Sequence, residues 1–261
     1  MSENRGKRRR ENVSDASPFD YFPEDCISKI VSCTSPRDAC VIATVSKVFE
    51  SAAKSDVVWE KFLPPEYESL VPSSRHFSSK KELYFAFCEE PVLIDDGTKS
   101  FWLDKASGKK CIMLSAMNIS IMWGDTPQYW EWITFPEART NTRVLSPRTR
   151  YSAYIVFKKV NHCNSFEDLA IEAGVGVAGN HEASTRFIYF DARVDGLSLR
   201  RRRRRLHERR DGWMEIELGE FFSGGDIMNS DEIEMSALET KLGHWKSGLI
   251  IQGIEIRPVR T

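Results

Sequence analysis

FPEDCISKIVSCTSPRDACVIATVSKVFESAAKSDVVWEKFL, residues 22–63, decides the first module of the fold. Pro23 suits the opening of a helix, and Ile27, Ile30 and Val31 follow at i, i+3, i+4 spacing. Ser35-Pro36-Arg37-Asp38 starts a second helix: Ser35 as cap, Pro36 in the first turn, an acid three residues after the cap. Ala39, Cys40, Ala43 and Val45 extend one apolar stripe, and Val48, Phe49, Ala52 and Ala53 form another. Asp56 caps a last turn holding Val58, Trp59, Phe62 and Leu63, which Pro64-Pro65 ends. Cys26, Cys33 and Cys40 fall seven apart, with Pro36 between, and are read as core thiols.

Downstream, Ser79-Lys80-Lys81-Glu82 caps one more helix with Leu83, Tyr84 and Phe87 on a face. After Glu90-Pro91 the period changes from 3.6 to two. Ile119, Ile121 and Trp123 alternate with polar or flexible residues, as do Met214, Ile216 and Leu218, and Ile254 and Ile256. Tyr151 to Phe157, YSAYIVF, reads as a strand buried on both sides. Asp95-Asp96-Gly97, Gly124-Asp125, Asp211-Gly212 and Gly224-Gly225 are turn chemistry. The pattern predicts an α+β chain of two domains, a small helical module followed by an antiparallel β-sandwich. The expected divisions are a disordered basic tail over 1–17, the helical module over 18–64, a helical connector over 65–90 and the sandwich over 91–261.

The chain has 261 residues, 41% hydrophobic and 29% charged, enough for a sizeable core. No stretch reaches the ~20 apolar residues that span a bilayer, and the basic start has no apolar region behind it. A nuclear and cytoplasmic location is expected, with no membrane partner. The six cysteines form no C-x-x-C and are expected to be reduced; no zinc spacing occurs, so no metal or cofactor is expected. Net charge is −1, yet the basic charge is concentrated in two short runs, within residues 1–10 and 200–210. Lys7, Arg8, Arg9 and Arg10, and Arg201, Arg202, Arg203 and Arg204, are candidate nuclear-import signals; the second run is read as a loop. Few aromatics interleave with them, so nucleic acid is not an expected partner.

The helical stretch resembles an F-box, through Phe22, Pro23, Glu24, Ile27, Ile30, Val31, Asp38, Val45, Ser46, Lys47, Val58 and Trp59 in that order. The resemblance implies docking to a Skp-type adaptor and, through it, a cullin in an SCF (Skp–cullin–F-box) ubiquitin ligase. Phe22, Pro23, Ile27, Ile30, Val31, Val45 and Trp59 are the implied adaptor contacts, and Ala43, Phe49 and Ala52 are assigned to holding the module together.

KSFWLDKASGKKCIMLSAMNISIMWGDTPQYWEW, LSPRTRYSAYIVFK, RRDGWMEIELGEFF and HWKSGLIIQGIEIRP resemble the phloem-protein-two, or Nictaba-type, lectin domain of plants. That resemblance implies a β-sandwich binding N-acetylglucosamine oligomers and N-glycan cores, with Trp123 and Trp130 as its paired tryptophans. Independently, an aromatic ring packs on the C–H face of a pyranose while polar groups meet its rim. Asp125 and Gln128 lie between the two rings for that purpose. The join from Trp132 to Leu145 is shorter than the family pattern by about one strand with its connection. Weak sugar binding is therefore expected.

No nucleophile elbow, P-loop, dinucleotide fingerprint or zinc-peptidase helix is present, so no catalytic residue is assigned. The leading reading is a substrate receptor of the ligase that captures target proteins, glycosylated or not, for ubiquitination. The alternatives are a nucleocytoplasmic lectin independent of ubiquitin and a receptor that ignores glycans.

Overall fold

The computed structural model describes residues 21–72, 74–119, 137–164, 166, 169–179, 184–190, 206–224, 231–238 and 247–260. The chain divides into two compact units, one ending at Phe62 and one beginning at Leu63.

The first unit holds α1 (Glu24–Ser32), α2 (Pro36–Ile42), α3 (Lys47–Ala52) and α4 (Asp56–Phe62). Pro23 is the residue before α1, with ψ 140°, and Glu24 and Asp25 place negative charge at the positive end of the helix dipole. Ser35 caps α2 as expected: its Oγ accepts from the Asp38 N–H at 3.1 Å and donates to the Asp38 carboxylate at 2.8 Å. Ser46 caps α3 through the Phe49 N–H. Ile27, Val31, Ala39, Ala52, Ala53, Val58 and Trp59 are all 1% exposed or less and form the core of the unit. Two buried polar groups are satisfied within it: the Trp59 indole N–H donates to the Ala53 carbonyl at 2.7 Å, and the Ser28 hydroxyl donates to Ala52 at 3.3 Å.

The expectation of core thiols is corrected here. Cys26, Cys33 and Cys40 are exposed. The inward positions of α1 are taken by Ile27 and Val31, and that of α2 by Ala39, which turns the neighbouring cysteines outward.

The second unit begins with α5 (Tyr67–Leu70) and α6 (Lys80–Glu89), then runs through eleven strands among the described residues. Ser79 accepts from the Glu82 N–H, and Glu82 reaches back to the N–H and hydroxyl of Ser78. The Ser78 hydroxyl, then its N–H, hold the Glu82 carboxyl below the ordinary carboxylate range. Leu83, Tyr84 and Phe87 are the buried face of α6, as the periodicity predicts. Phe87 meets Phe101 edge-on at 6.1 Å, and the Tyr84 hydroxyl donates to the carbonyls of Asp104 and Lys105.

The strands are β1 (Val92–Ile94), β2 (Lys99–Leu103), β3 (Lys110–Ser115), β4 (Glu137–Asn141), β5 (Thr149–Asn164), β6 (Ile171–Val177), β7 (Ser184–Ile188), β8 (Leu206–Glu208), β9 (Met214–Ser223), β10 (Glu232–Leu238) and β11 (Ser247–Pro258). A seven-stranded sheet has the order β1-β2-β3-β11-β5-β9-β8, and a four-stranded sheet the order β4-β10-β6-β7. Every pairing among the described strands is antiparallel. The core between the sheets joins Tyr151, Ile155, Phe157, Leu218 and Ile254 of the larger to Ile171, Val175, Ile188, Ile233 and Met235 of the smaller. Tyr151, Ala153, Ile155 and Phe157 point into this core, while Ser152 and Val156 are buried on the opposite face, so β5 is closed off on both sides.

Asp95, Asp96 and Gly97, all at positive φ, form the β1–β2 turn, a conformation that Asp tolerates and Gly adopts freely. At Gly253 the need is space: a Cβ there would lie 2.0 Å from the Leu114 carbonyl oxygen of β3. Gly253 follows the β11 bulge, where the register against β5 shifts between Ile251 and Gly253. One strand departs from the sequence reading. Leu206–Glu208 pairs with β9 as an edge strand, where a continuous loop was expected. The strand Ile119 to Trp123 lies outside the described residues beyond Ile119.

Candidate functional site

Two surfaces carry the functional question. The first is the outside of the helical unit. On α1 and its C-cap, Cys26, Ile30 and Cys33 follow at i, i+4, i+7 and share one face, about a third of a turn from the inward Ile27 and Val31. Ile30 is 57% exposed, Phe22 53%, Val41 57% and Val45 69%, and Pro23 is exposed beside them in sequence. A helix apolar on both its inner and outer faces leaves surface that water covers poorly.

The seven expected contacts therefore divide. Phe22, Pro23, Ile30 and Val45 are exposed, whereas Ile27, Val31 and Trp59 are fully buried. A side chain at 0–1% exposure has no surface to offer, so the contact assignment of these three is corrected: they build the unit. The assignment of Ala43, Phe49 and Ala52 to the interior is met by Ala52 alone at full burial; Ala43 and Phe49 are half-buried.

The second surface is the outer face of the seven-stranded sheet. Side chains that alternate with the core residues line a groove there of about 810 Å³. Its floor is a ring of four charges. The Arg257 guanidinium donates to Glu215 at 2.9 Å and to Glu255 at 3.3 Å. Arg209 donates to the other Glu255 oxygen at 2.6 Å and lies 3.8 Å from Glu215. The two carboxylates are 6% and 4% exposed. Burial works against the Arg257 charge, but the hydrogen bonds and charge of Glu215, joined by Glu255, outweigh it and hold the guanidinium above its ordinary value. Arg257 also lies over the Tyr154 ring at 3.7 Å. Trp102 lines the same groove, opposite Cys111 in the β2–β3 register. Burial pushes the Cys111 thiol well up, which keeps it protonated and inert.

Sequence reasoning missed this ring. Alternation assigns Glu215 and Glu255 to water, and nothing local announces partners 42 and 46 residues away. Arg209, part of the basic run within residues 200–210, is bound into the floor. The expected sugar contacts Trp123, Asp125, Gln128 and Trp130 lie outside the described residues, as do the basic residues Lys7, Arg8, Arg9, Arg10, Arg201, Arg202, Arg203 and Arg204. Among the described residues no group of His, Cys, Asp and Glu could hold a metal ion. None of their helices is long and apolar enough to cross a membrane.

A helical module with an outward apolar face, ahead of an antiparallel two-sheet domain with a polar groove, defines a two-module binding protein. The F-box domain model matches residues 19–61, and the Phloem protein 2 model matches residues 109–142 and 137–258. F-box protein PP2-B10 of Arabidopsis thaliana is 62% identical over 274 residues, covering 97% of this chain and 98% of that protein. Putative F-box protein PP2-B8 of the same plant is 55% identical, covering 97% and 92%. F-box protein SKIP3, also from Arabidopsis thaliana, is 52% identical, covering 100% and 94%. The chain belongs to the F-box proteins that carry a phloem protein 2 domain. Among solved structures, the CBM22-1 xylan-binding domain from Paenibacillus barcinonensis Xyn10C covers 63% of this chain and 84% of its own, at 10% identity and a TM-score of 0.24, too slight a likeness to bear on fold or ligand.

Proposed function

We propose that this chain is a substrate-recognition subunit of an SCF ubiquitin ligase. The F-box unit docks a Skp-type adaptor, which links it to a cullin, and the phloem protein 2 unit captures the target. The observation that carries the reading is the set of exposed apolar side chains Phe22, Pro23, Ile30 and Val45 on a unit whose own core is already complete. The chain contributes binding energy and proximity, and the transfer of ubiquitin belongs to the conjugating enzyme elsewhere in the complex.

Capture of glycosylated targets through Trp123, Asp125, Gln128 and Trp130 is the finer form of this proposal, weakened by the short join from Trp132 to Leu145. A nuclear as well as a cytoplasmic location is part of the proposal, on the strength of the two basic runs in the sequence. Co-purification of adaptor and cullin with the chain from plant extract, under proteasome inhibition, tests the reading. Both should be recovered with the wild type and lost with Ile30→Glu combined with Val45→Glu. Equal recovery with the double variant would refute it.

A further inference from the structure

We propose that Cys26 and Cys33 are thiol-modification sites, and that a mixed disulfide with glutathione at either one closes the adaptor-docking face of α1. The inference rests on the reading of the first unit as the adaptor-docking one, and it adds a regulation of that same face.

The first argument is position. Cys26 and Cys33 are both exposed. They flank the exposed Ile30 at i−4 and i+3, the two spacings that make surface neighbours on a helix. The face that offers Ile30 to a partner therefore offers both sulfur atoms with it. A reduced thiol suits that place. It is small and nearly apolar, so a partner covers it without stranding a charge or a strong donor.

The second argument is access, set against the thiols of the other unit. Cys111 is buried and Cys88 half-buried. Burial pushes the Cys88 thiol up to about 11 and Cys111 further, so both stay protonated and slow to react. On α1 the shelter is taken by Ile27 and Val31, which fill the inward positions and turn the two cysteines to water.

The third argument is what oxidation can make there. A rise of ~1.5 Å per residue sets the Cα atoms of Cys26 and Cys33 ~10.5 Å apart, beyond the ~7 Å that a disulfide bridges. The two cannot pair with each other, so each takes an external group. The cysteine loses its proton, and the thiolate attacks one sulfur of glutathione disulfide. A new S–S bond joins protein to glutathione, the old S–S bond breaks, and the second glutathione leaves as a thiolate that takes up a proton. The protein sulfur is oxidised and the departing glutathione sulfur is reduced. The adduct sets a tripeptide with charged amino and carboxylate groups beside Ile30, where the adaptor must lie. Docking would then have to bury those charges without partners.

The test is calorimetric titration of a purified Skp-type adaptor with the full chain, either untreated or treated with glutathione disulfide and then desalted. The treated chain should bind roughly ten-fold more weakly or worse, and dithiothreitol should restore the untreated affinity. Cys26→Ser with Cys33→Ser should show one affinity before and after the treatment. A second measurement needs no substitution. Alkylation by iodoacetamide, mapped by mass spectrometry, should be roughly ten-fold slower at Cys26 and Cys33 in the adaptor complex than in the free chain. Unchanged affinity after mapped addition of glutathione at both positions would overturn the proposal, as would alkylation equally fast in the complex and the free chain. So would a loss of binding on treatment that persists in the serine double variant, which would move the effect to another thiol, Cys40 on α2 foremost. Failure of the untreated wild type to bind would instead overturn the docking reading itself, and the inference with it.

Discussion

Arg257 on β11 reaches across the intervening strand β5 to grip Glu215 on β9, so that three neighbouring strands are joined on the outer face by one ion pair. The same guanidinium holds Glu255 and lies over Tyr154, and Arg209 completes the set from beyond β8. Exposed ion pairs contribute little, but these carboxylates are out of water and depend on their partners.

Arg257→Ala should therefore lower stability by about 3 kcal/mol or more, read from chemical unfolding, because two buried carboxylates keep only Arg209. Combining Arg257→Met with Glu215→Leu should recover most of that loss, since the pair is replaced by packing while Arg209 and Glu255 remain together. A double variant less stable than Arg257→Ala alone would show that the network does more than satisfy its own charges.

Alkaline stability follows from two buried acids, Tyr151 and Cys111, and the half-buried Cys88. Burial pushes the Tyr151 hydroxyl up to about 12 and the Cys88 thiol up to about 11, and lifts Cys111 further. In the unfolded chain these groups lose their protons at lower pH, so unfolding releases protons and stability falls as pH rises, from about 9 for the thiols and about 10 for the tyrosine. Tyr151→Phe should flatten the tyrosine part of that decline. At neutral pH it should cost about 1–2 kcal/mol, because the buried Ser146 N–H now donating to the Tyr151 oxygen at 2.9 Å would lose its acceptor. Thermal unfolding between pH 7 and 11 is the measurement.

What could be read from the sequence was what short-range chemistry decides. The Ser35, Pro36 and Asp38 cap lies within four residues and was legible. So was β5, whose unbroken apolar run suits a strand covered on both faces. The inward set of α1 was blurred because Cys26, Ile30 and Cys33 add a second apolar stripe, and periodicity alone does not say which stripe a partner covers. Strand β8 is three residues long beside an arginine run and exists by pairing with β9, which no local pattern encodes. The groove floor was hidden for the same reason, since its partners meet only in the folded sheet.

Nuclear accumulation should depend on both basic runs. Replacing Arg8, Arg9 and Arg10 by alanine, Arg201 to Arg204 by alanine, or both sets, should lower the nuclear fraction stepwise in imaging of a fluorescent fusion. An unchanged fraction in the combined variant would mean that the runs are only solvated charge.

Chitooligosaccharides should bind weakly or not at all. Stacking on Trp123 and Trp130 contributes about 0.5–1.5 kcal/mol per contact beyond burial, far below the ~5.5 kcal/mol behind a Kd near 0.1 mM. The remainder must come from rim hydrogen bonds on a fixed sheet, and the short join from Trp132 to Leu145 is proposed to remove part of that support. Calorimetry decides: tight binding that disappears in Trp123→Ala and Trp130→Ala would restore the lectin reading.

The F-box unit is proposed to keep one apolar set, Ile27, Val31 and Trp59, for its core and to present another, with Ile30 and Val45, to the adaptor. Calorimetric titration of the full chain with a purified Skp-type adaptor tests it directly. Ile30→Glu with Val45→Glu should weaken binding by about 2 kcal/mol or more, roughly thirty-fold, with the thermal transition of the free chain unchanged. Ile27→Ala should do the reverse at its root, lowering the stability of the unit by about 2–5 kcal/mol through a cavity beneath an intact docking face. Wild-type affinity in the Ile30 and Val45 double variant would mean that these side chains do not meet the adaptor.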